Sequence, residues 1–185
     1  MNSDPLHRLA ISLAALLLLT GCGKDVPEKS AEARPRLFTY QYGDTIRFGF
    51  GGDSERFRLT GWGETEPGMT WTDGIAASLN IRVPPTTCGV KFQLKASGMH
   101  TKPRLPFQPL DVSIHGEVVA HWEVDEEKIY AFDVPPRFVS PTEERLWTID
   151  FYIPKAQSPA NLGLNADPRR LGLRCVELVI TACTP

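Results

Sequence analysis

Charge of one sign is in short supply in this chain. Its 20 Lys and Arg stand against 22 Asp and Glu, a formal net charge of −2, and neither sign gathers into blocks. A nucleic-acid partner is excluded on that ground, because phosphate recognition needs a basic surplus on one face. No stretch shows a sustained helical period, which sets a helical bundle aside. The apolar run Leu9 to Leu19 is too short to span a bilayer as a stable helix. Histidine is scarce, with four residues, and His100, His115 and His121 do not show the paired spacing of a metal-ligand set. Asp111, His115 and His121 could be joined with a serine into a triad on paper, but no nucleophile elbow accompanies them. Neither a catalytic set, a metal site nor a cofactor is therefore expected.

What the chain does have is turn formers. Sixteen prolines and fifteen glycines are spread over 185 residues of 42% hydrophobic content, enough apolar mass for one good core built from many short strands.

Residues 1 to 21 read as an export signal: Arg8 precedes the apolar run, which ends in Leu19-Thr20-Gly21-Cys22. That tetrapeptide is similar to a bacterial lipobox, in which the peptidase cuts before the cysteine and the sulfur carries a diacylglycerol. Acyl chains (palmitate and its kin) on Cys22 would hold the protein at a membrane, at roughly 0.8 kcal/mol per buried CH2. Gly23, where an aspartate would retain the protein at the inner membrane, points to the periplasmic side of the outer membrane. Residues 22 to 36 then supply the lipidated cysteine and a polar, charged tether that cannot contribute to a core.

The folded domain is expected over residues 37 to 185, where the pattern changes to period two. Ile46, Phe48 and Phe50 alternate before Gly51-Gly52-Asp53, and Phe57 with Leu59 makes a second short strand. Residues 61 to 74 read as a loop carrying two tryptophans and three acids. Further strands fall at Ile75 to Val83, Val90 to Ala96, Leu110 to Ile114, Val118 to Trp122, Ile129 to Val134 and Trp147 to Ile153. His115-Gly116 fits a type I′ hairpin turn. In the last strand Leu171, Leu173 and Cys175 alternate, then Leu178 and Ile180 resume one residue out of step. A β-bulge near Val176 and Glu177 would return both sets to the buried face. About nine strands at this spacing define an all-β fold, an antiparallel β-sandwich or jelly roll.

Gly61-Trp62, Glu66, Trp71-Thr72 and Gly74, the hairpin at His115-Gly116, and then Ser158-Pro159, Gly163, Asp167-Pro168-Arg169 and Leu171-Gly172 form an ordered series. Over residues 43 to 182 it resembles an uncharacterised bacterial β-sandwich domain appended to cell-envelope glycosyltransferases and to phosphoglycerol transferases of periplasmic glucans. The resemblance implies a jelly-roll fold similar to carbohydrate-binding modules and implies no catalytic residues. No transferase domain accompanies it in this chain.

With Cys22 assigned to lipid, Cys88, Cys175 and Cys183 remain for an oxidising compartment. Cys175 and Cys183 share one strand, and eight extended residues span about 26 Å, far beyond the roughly 7 Å a disulfide tolerates. Cys175 occupies an apolar strand position and reads as core. The expected bridge is Cys88 with Cys183.

Glycan sites combine a flat aromatic ring with carboxylate and guanidinium groups that hydrogen-bond hydroxyls, and Trp62, Glu66, Trp71, Asp167 and Arg169 supply those types. The plainer reading comes first for both sets: tryptophans beside glycines often plug the end of a sandwich core, and Asp167 with Arg169 pins the corner loop by a charge-assisted hydrogen bond. The sequence thus leads to a lipid-anchored periplasmic, non-enzymatic binding or accessory module for a cell-envelope polysaccharide or its machinery. Two rivals stand beside it. One is a protein-interaction module docking an envelope glycosyltransferase, and the other is a glycan-modifying hydrolase or transferase.

Overall fold

A computed structural model describes residues 38–183. The residues read from the sequence as an export signal, a lipidated Cys22 and a tether fall outside the described residues. The described strands are β1 (Thr45–Arg47), β2 (Arg58–Thr60), β3 (Trp62–Glu66), β4 (Met69–Asp73), β5 (Ala76–Val83), β6 (Val90–Gly98), β7 (Gln108–Ile114), β8 (Glu117–Val124), β9 (Lys128–Val134), β10 (Arg145–Tyr152) and β11 (Leu171–Ala182), with a single-turn helix α1 (Pro159–Leu162) before the last. One sheet runs β3-β4-β11-β6-β9, with β1 also paired to β11, and the other runs β2-β5-β10-β7-β8. Every ladder between these strands is antiparallel. Apart from the β3–β4 and β7–β8 hairpins, each connection crosses from one sheet to the other, which makes an antiparallel β-sandwich.

Period two explains the core. Ala77, Leu79, Ile81 and Val83 of β5, Phe92 and Leu94 of β6, Val112 and Ile114 of β7, and Trp147, Ile149 and Phe151 of β10 are all buried between the sheets. The buried Trp147 satisfies its indole N–H on the Phe138 carbonyl at 2.7 Å.

β11 is the central strand of its sheet and behaves as expected. Its register against β6 shifts between Cys175 and Glu177, so Val176 is the extra residue. Leu173, Cys175, Leu178 and Ile180 consequently all stay buried. The amide of Phe48 donates to the carbonyl of Val176 at 3.0 Å, which brings the chain beyond β1 onto the bulge. The β7–β8 connection is the two-residue turn His115-Gly116 with φ of 51° and 79°, both positive as a type I′ turn requires.

Three expectations are corrected. β1 stops at Arg47, so Phe50 does not continue the alternation: it sits on a turn and is 69% exposed. Residues 61 to 74 are not a loop, because β3 and β4 form a hairpin within them. The described strands number eleven rather than about nine, the additional ones being β3 and β4 of this hairpin.

Cys88 and Cys183 are joined in a disulfide with Cα atoms 5.4 Å apart, while Cys175 is free and buried. Burial with no compensating partner pushes the Cys175 thiol far up, so it stays protonated.

Tyr40 pins the end of β11. Its ring is 2% exposed, its hydroxyl accepts the Ile180 N–H at 2.8 Å, and it donates to the Asp44 carbonyl. Desolvation raises this phenol from 10.0 to about 12. The unfolded chain therefore ionises first as the solution becomes alkaline. Stability is complete below pH 10 and falls by about 2 kcal/mol as pH approaches 12. We expect Tyr40→Phe to cost about 1–3 kcal/mol near neutrality, because the Ile180 N–H is left unpaired, and to remove this part of the alkaline loss. Denaturant titrations at neutral and alkaline pH check both effects.

Candidate functional site

The corner that precedes β11 is built by local signals. Ser158 caps α1, its hydroxyl accepting the Asn161 N–H at 3.1 Å, and Pro159 occupies the first helical position. Gly163 ends the helix in the left-handed region at φ 75°. The chain then folds back. Ala160 N–H donates to the Asp167 carbonyl at 3.0 Å, and Arg170 Nε donates to the Ala156 carbonyl at 2.7 Å. The corner docks on the end of β4 through Gly74 N–H to the Arg170 carbonyl at 2.7 Å and Arg170 N–H to Asp73 Oδ1 at 3.2 Å.

This places Arg169 over the β3–β4 hairpin. Its Nε and Nη2 donate to Asp167 Oδ2 at 3.0 and 2.7 Å, and its Nη1 donates to Glu66 Oε1 at 3.2 Å. Asp167 also accepts the Arg169 backbone N–H at 2.9 Å. The bidentate fork fixes the guanidinium plane, and charge-assisted bonds of this kind are the strong ones. Asp167 lies below the usual carboxylate range because the Arg169 guanidinium bonds its charged form, and Asp167 first and Glu66 second hold Arg169 above the usual guanidinium range. The arginine side chain nevertheless stays 38% exposed, so its remaining face meets solvent.

Trp62, Gly63, Glu64, Glu66, Asp73 and Arg169 line an open depression of about 700 Å3. Of the five residues singled out from the sequence, Glu66, Asp167 and Arg169 are thus bonded together and Trp62 joins them at one wall. Trp62 also fills the edge of the core: its ring centroid lies 5.2 Å from that of Phe48 and 6.1 Å edge-on from that of Phe151, and its N–H donates to the Ser78 carbonyl at 2.8 Å. Trp71 is placed differently. Trp62 pairs across the ladder with buried Thr72, whereas Trp71 alternates with buried Thr70 and Thr72 and so faces the other side of the sheet. The two indoles do not form one platform, and Trp71 does not line the depression.

On the open face of the other sheet, Asp111 and His121 pair across β7 and β8 with Nδ1 and Oδ1 2.7 Å apart. Their exposure makes this a surface cross-strand contact.

A second depression of about 680 Å3 lies on the other flank of β3, and the sequence reading missed it. Phe50, Ser54, Glu55, Arg58, Glu64 and Thr65 are among its walls. Arg58 bridges it, donating to the Gly63 carbonyl at 3.2 Å and to Thr65 Oγ1 at 3.3 Å and pairing with Glu55 at 3.2 Å. The available signal was an aromatic residue flanked by Gly49, Gly51 and Gly52, a spacing that suits a tight turn better than a strand.

No family model matches the chain, and no curated protein sequence matches it. Among solved structures it is similar to the CBM36-1 domain of a multidomain xylanase from the hindgut metagenome of Trinervitermes trinervoides, at 12% identity and a TM-score of 0.45, covering 77% of this chain and 98% of that one. It is also similar to a family 35 carbohydrate-binding module from Clostridium thermocellum, at 8% identity and a TM-score of 0.43, covering 76% of this chain and 99% of that one. A third is a family 35 module from Paenibacillus barcinonensis, at 12% identity and a TM-score of 0.41, covering 76% and 100%. The likeness is one of loose outline, and no residue role is carried across from these proteins.

Proposed function

We propose that this protein is a non-enzymatic glycan-binding module of the bacterial cell envelope, held at the membrane through lipid on Cys22 and facing the periplasm. The observation that carries the reading is Arg169, clamped in one plane by Asp167 and Glu66 yet exposed in the lining of an open polar depression. A guanidinium and carboxylates fixed in this way present donors and acceptors to sugar hydroxyls without first losing rotamer freedom. The same ion pairing argues for binding over catalysis. It holds Asp167 and Arg169 in their charged forms, whereas general acid–base work needs a group that titrates near the operating pH. The Cys88–Cys183 disulfide supports an exported, oxidising setting.

The test is an array of bacterial envelope polysaccharides probed with the purified protein and with Glu66→Gln and Arg169→Met. We expect at least one glycan class to bind, with affinity reduced about tenfold or more in Arg169→Met, the order of one charged hydrogen bond lost. Silence of the wild-type protein across the array would overturn the reading and turn attention to a protein partner, such as an envelope glycosyltransferase, by crosslinking in the envelope.

A further inference from the structure

The two depressions flank one strand. Glu64 lines both, with Thr65 lining the first and Trp62, Gly63 and Glu66 the second, so the two depressions adjoin at β3 and together can serve as one groove. We propose that this groove takes an extended glycan lying across β3, with Phe50 as the stacking platform of one half and Arg169 as the polar anchor of the other, and that it selects chains without negative charge. This rests on the glycan-binding reading above and adds to it the second half, the chain length and the charge class.

Phe50 is suited to that task because it is presented rigidly. Gly49, Phe50, Gly51 and Gly52 form a turn closed by the Gly52 N–H on the Gly49 carbonyl at 2.9 Å, with Gly51 at φ 73°. The turn is pressed against its surroundings: a side chain on Gly49 would begin 2.4 Å from the Cα of Gly68, and one on Gly52 would begin 2.2 Å from the Arg47 carbonyl oxygen. Phe50 N–H donates to the Glu66 carbonyl at 3.2 Å, and Asp53 Oδ1 accepts the Arg47 N–H at 3.0 Å. An aromatic ring 69% exposed on a backbone fixed this closely is a pre-organised apolar surface beside polar groups, the combination that a sugar ring's two faces require.

Charge decides the ligand class. Both cations of the groove are already paired, Arg58 with Glu55 and Arg169 with Asp167 and Glu66. Glu64 is exposed and, among the described residues, has no salt-bridge partner. Asp73, at the end of the second half, accepts a backbone N–H from the corner and, among the described residues, has no salt-bridge partner. An anionic sugar would face these carboxylates with no free cation to answer it, whereas a neutral or amine-bearing sugar meets hydrogen-bond acceptors.

The probes are cello-oligosaccharides of increasing length, chitosan oligomers and oligogalacturonates, titrated calorimetrically into the protein, Phe50→Ala, Phe50→Trp and Arg169→Met. We expect affinity for the neutral or amine-bearing series to rise with chain length. Phe50→Ala should remove most of that rise, about tenfold on the longer oligomers, while Phe50→Trp keeps it. Oligogalacturonates should bind more weakly than the neutral series of equal length. An unchanged melting temperature in Phe50→Ala, which its exposure leads us to expect, ties the loss to the ring. Binding that depends on Arg169 but is indifferent to Phe50 or to length would overturn the extended groove and leave the glycan-binding reading standing. Preference for oligogalacturonates would overturn the charge class. No binding of any oligomer would overturn the groove as drawn, and the envelope-polysaccharide array separately decides the reading it rests on.

Discussion

Replacing both Cys88 and Cys183 by serine is expected to lower stability by about 4–5 kcal/mol, the loop-entropy value for a bridge of this separation. The residues are 95 apart, so the bond closes most of the sandwich into one ring and removes a large share of the unfolded chain's freedom. Its position adds a local effect. Val90 and Ala182 are register partners, and the Cys183 N–H donates to the Gly89 carbonyl at 3.2 Å, so the bridge locks the open end of the β6–β11 ladder. Since β11 lies between β6 on one edge and β4 and β1 on the other, fraying there loosens the middle of the sheet. Against the usual 5–15 kcal/mol of a domain this is a major fraction, and the serine variant should be marginal at 37 °C. Urea titration of the oxidised protein and the double variant checks it. A difference below about 1 kcal/mol would mean that the reduced unfolded chain keeps enough structure to cancel the entropy. Cys175 is free and buried in the folded sheet, so the titration is run at mildly acidic pH to keep its thiol protonated once unfolding exposes it.

The central strands were legible in the sequence for a physical reason. Wherever one face of a strand is buried and the other wet, alternation is enforced, and β5, β6, β7 and β10 show it cleanly. Even the bulge in β11 could be read, since a slipped alternation has only that way to keep both halves inside. Edges and corners obey other rules. Phe50 alternates with Phe48 in sequence, yet glycines take the chain into a turn and put the ring in solvent. Ile129, the second residue of β9, takes an outward position and is 62% exposed. The β3–β4 hairpin was hidden because its strands carry acids and half-buried tryptophans in place of aliphatics. At the site, Asp167 and Arg169 are two residues apart and their contact is written locally. The Glu66–Arg169 bond joins residues 103 apart and depends on where the corner docks, which no local pattern encodes. The opposite facing of Trp62 and Trp71 likewise follows from the register of a bulged edge strand.

Trp62→Ala separates the two roles that this residue combines, and its largest effect is expected on stability. The indole fills the edge of the core between Phe48 and Phe151 and satisfies the Ser78 carbonyl at 2.8 Å, so removing it opens a cavity and leaves that carbonyl short of its partner. Aromatic-to-alanine changes of this type cost about 3–5 kcal/mol, and Trp62 should fall at the lower end because it is only partly buried. Trp71→Ala makes the contrast. Its ring lies on the outer face of the sheet between two inward threonines, so its loss should cost about 1 kcal/mol or less. Denaturant midpoints of the two variants measure the difference directly. Glycan titrations below the unfolding transition then measure what Trp62 contributes to the groove wall, independently of folding. A Trp62→Ala protein as stable as the wild type but unable to bind would reverse the assignment: the ring would be a recognition platform that the core does not need, and the groove would be centred on β3's indole rather than on Arg169.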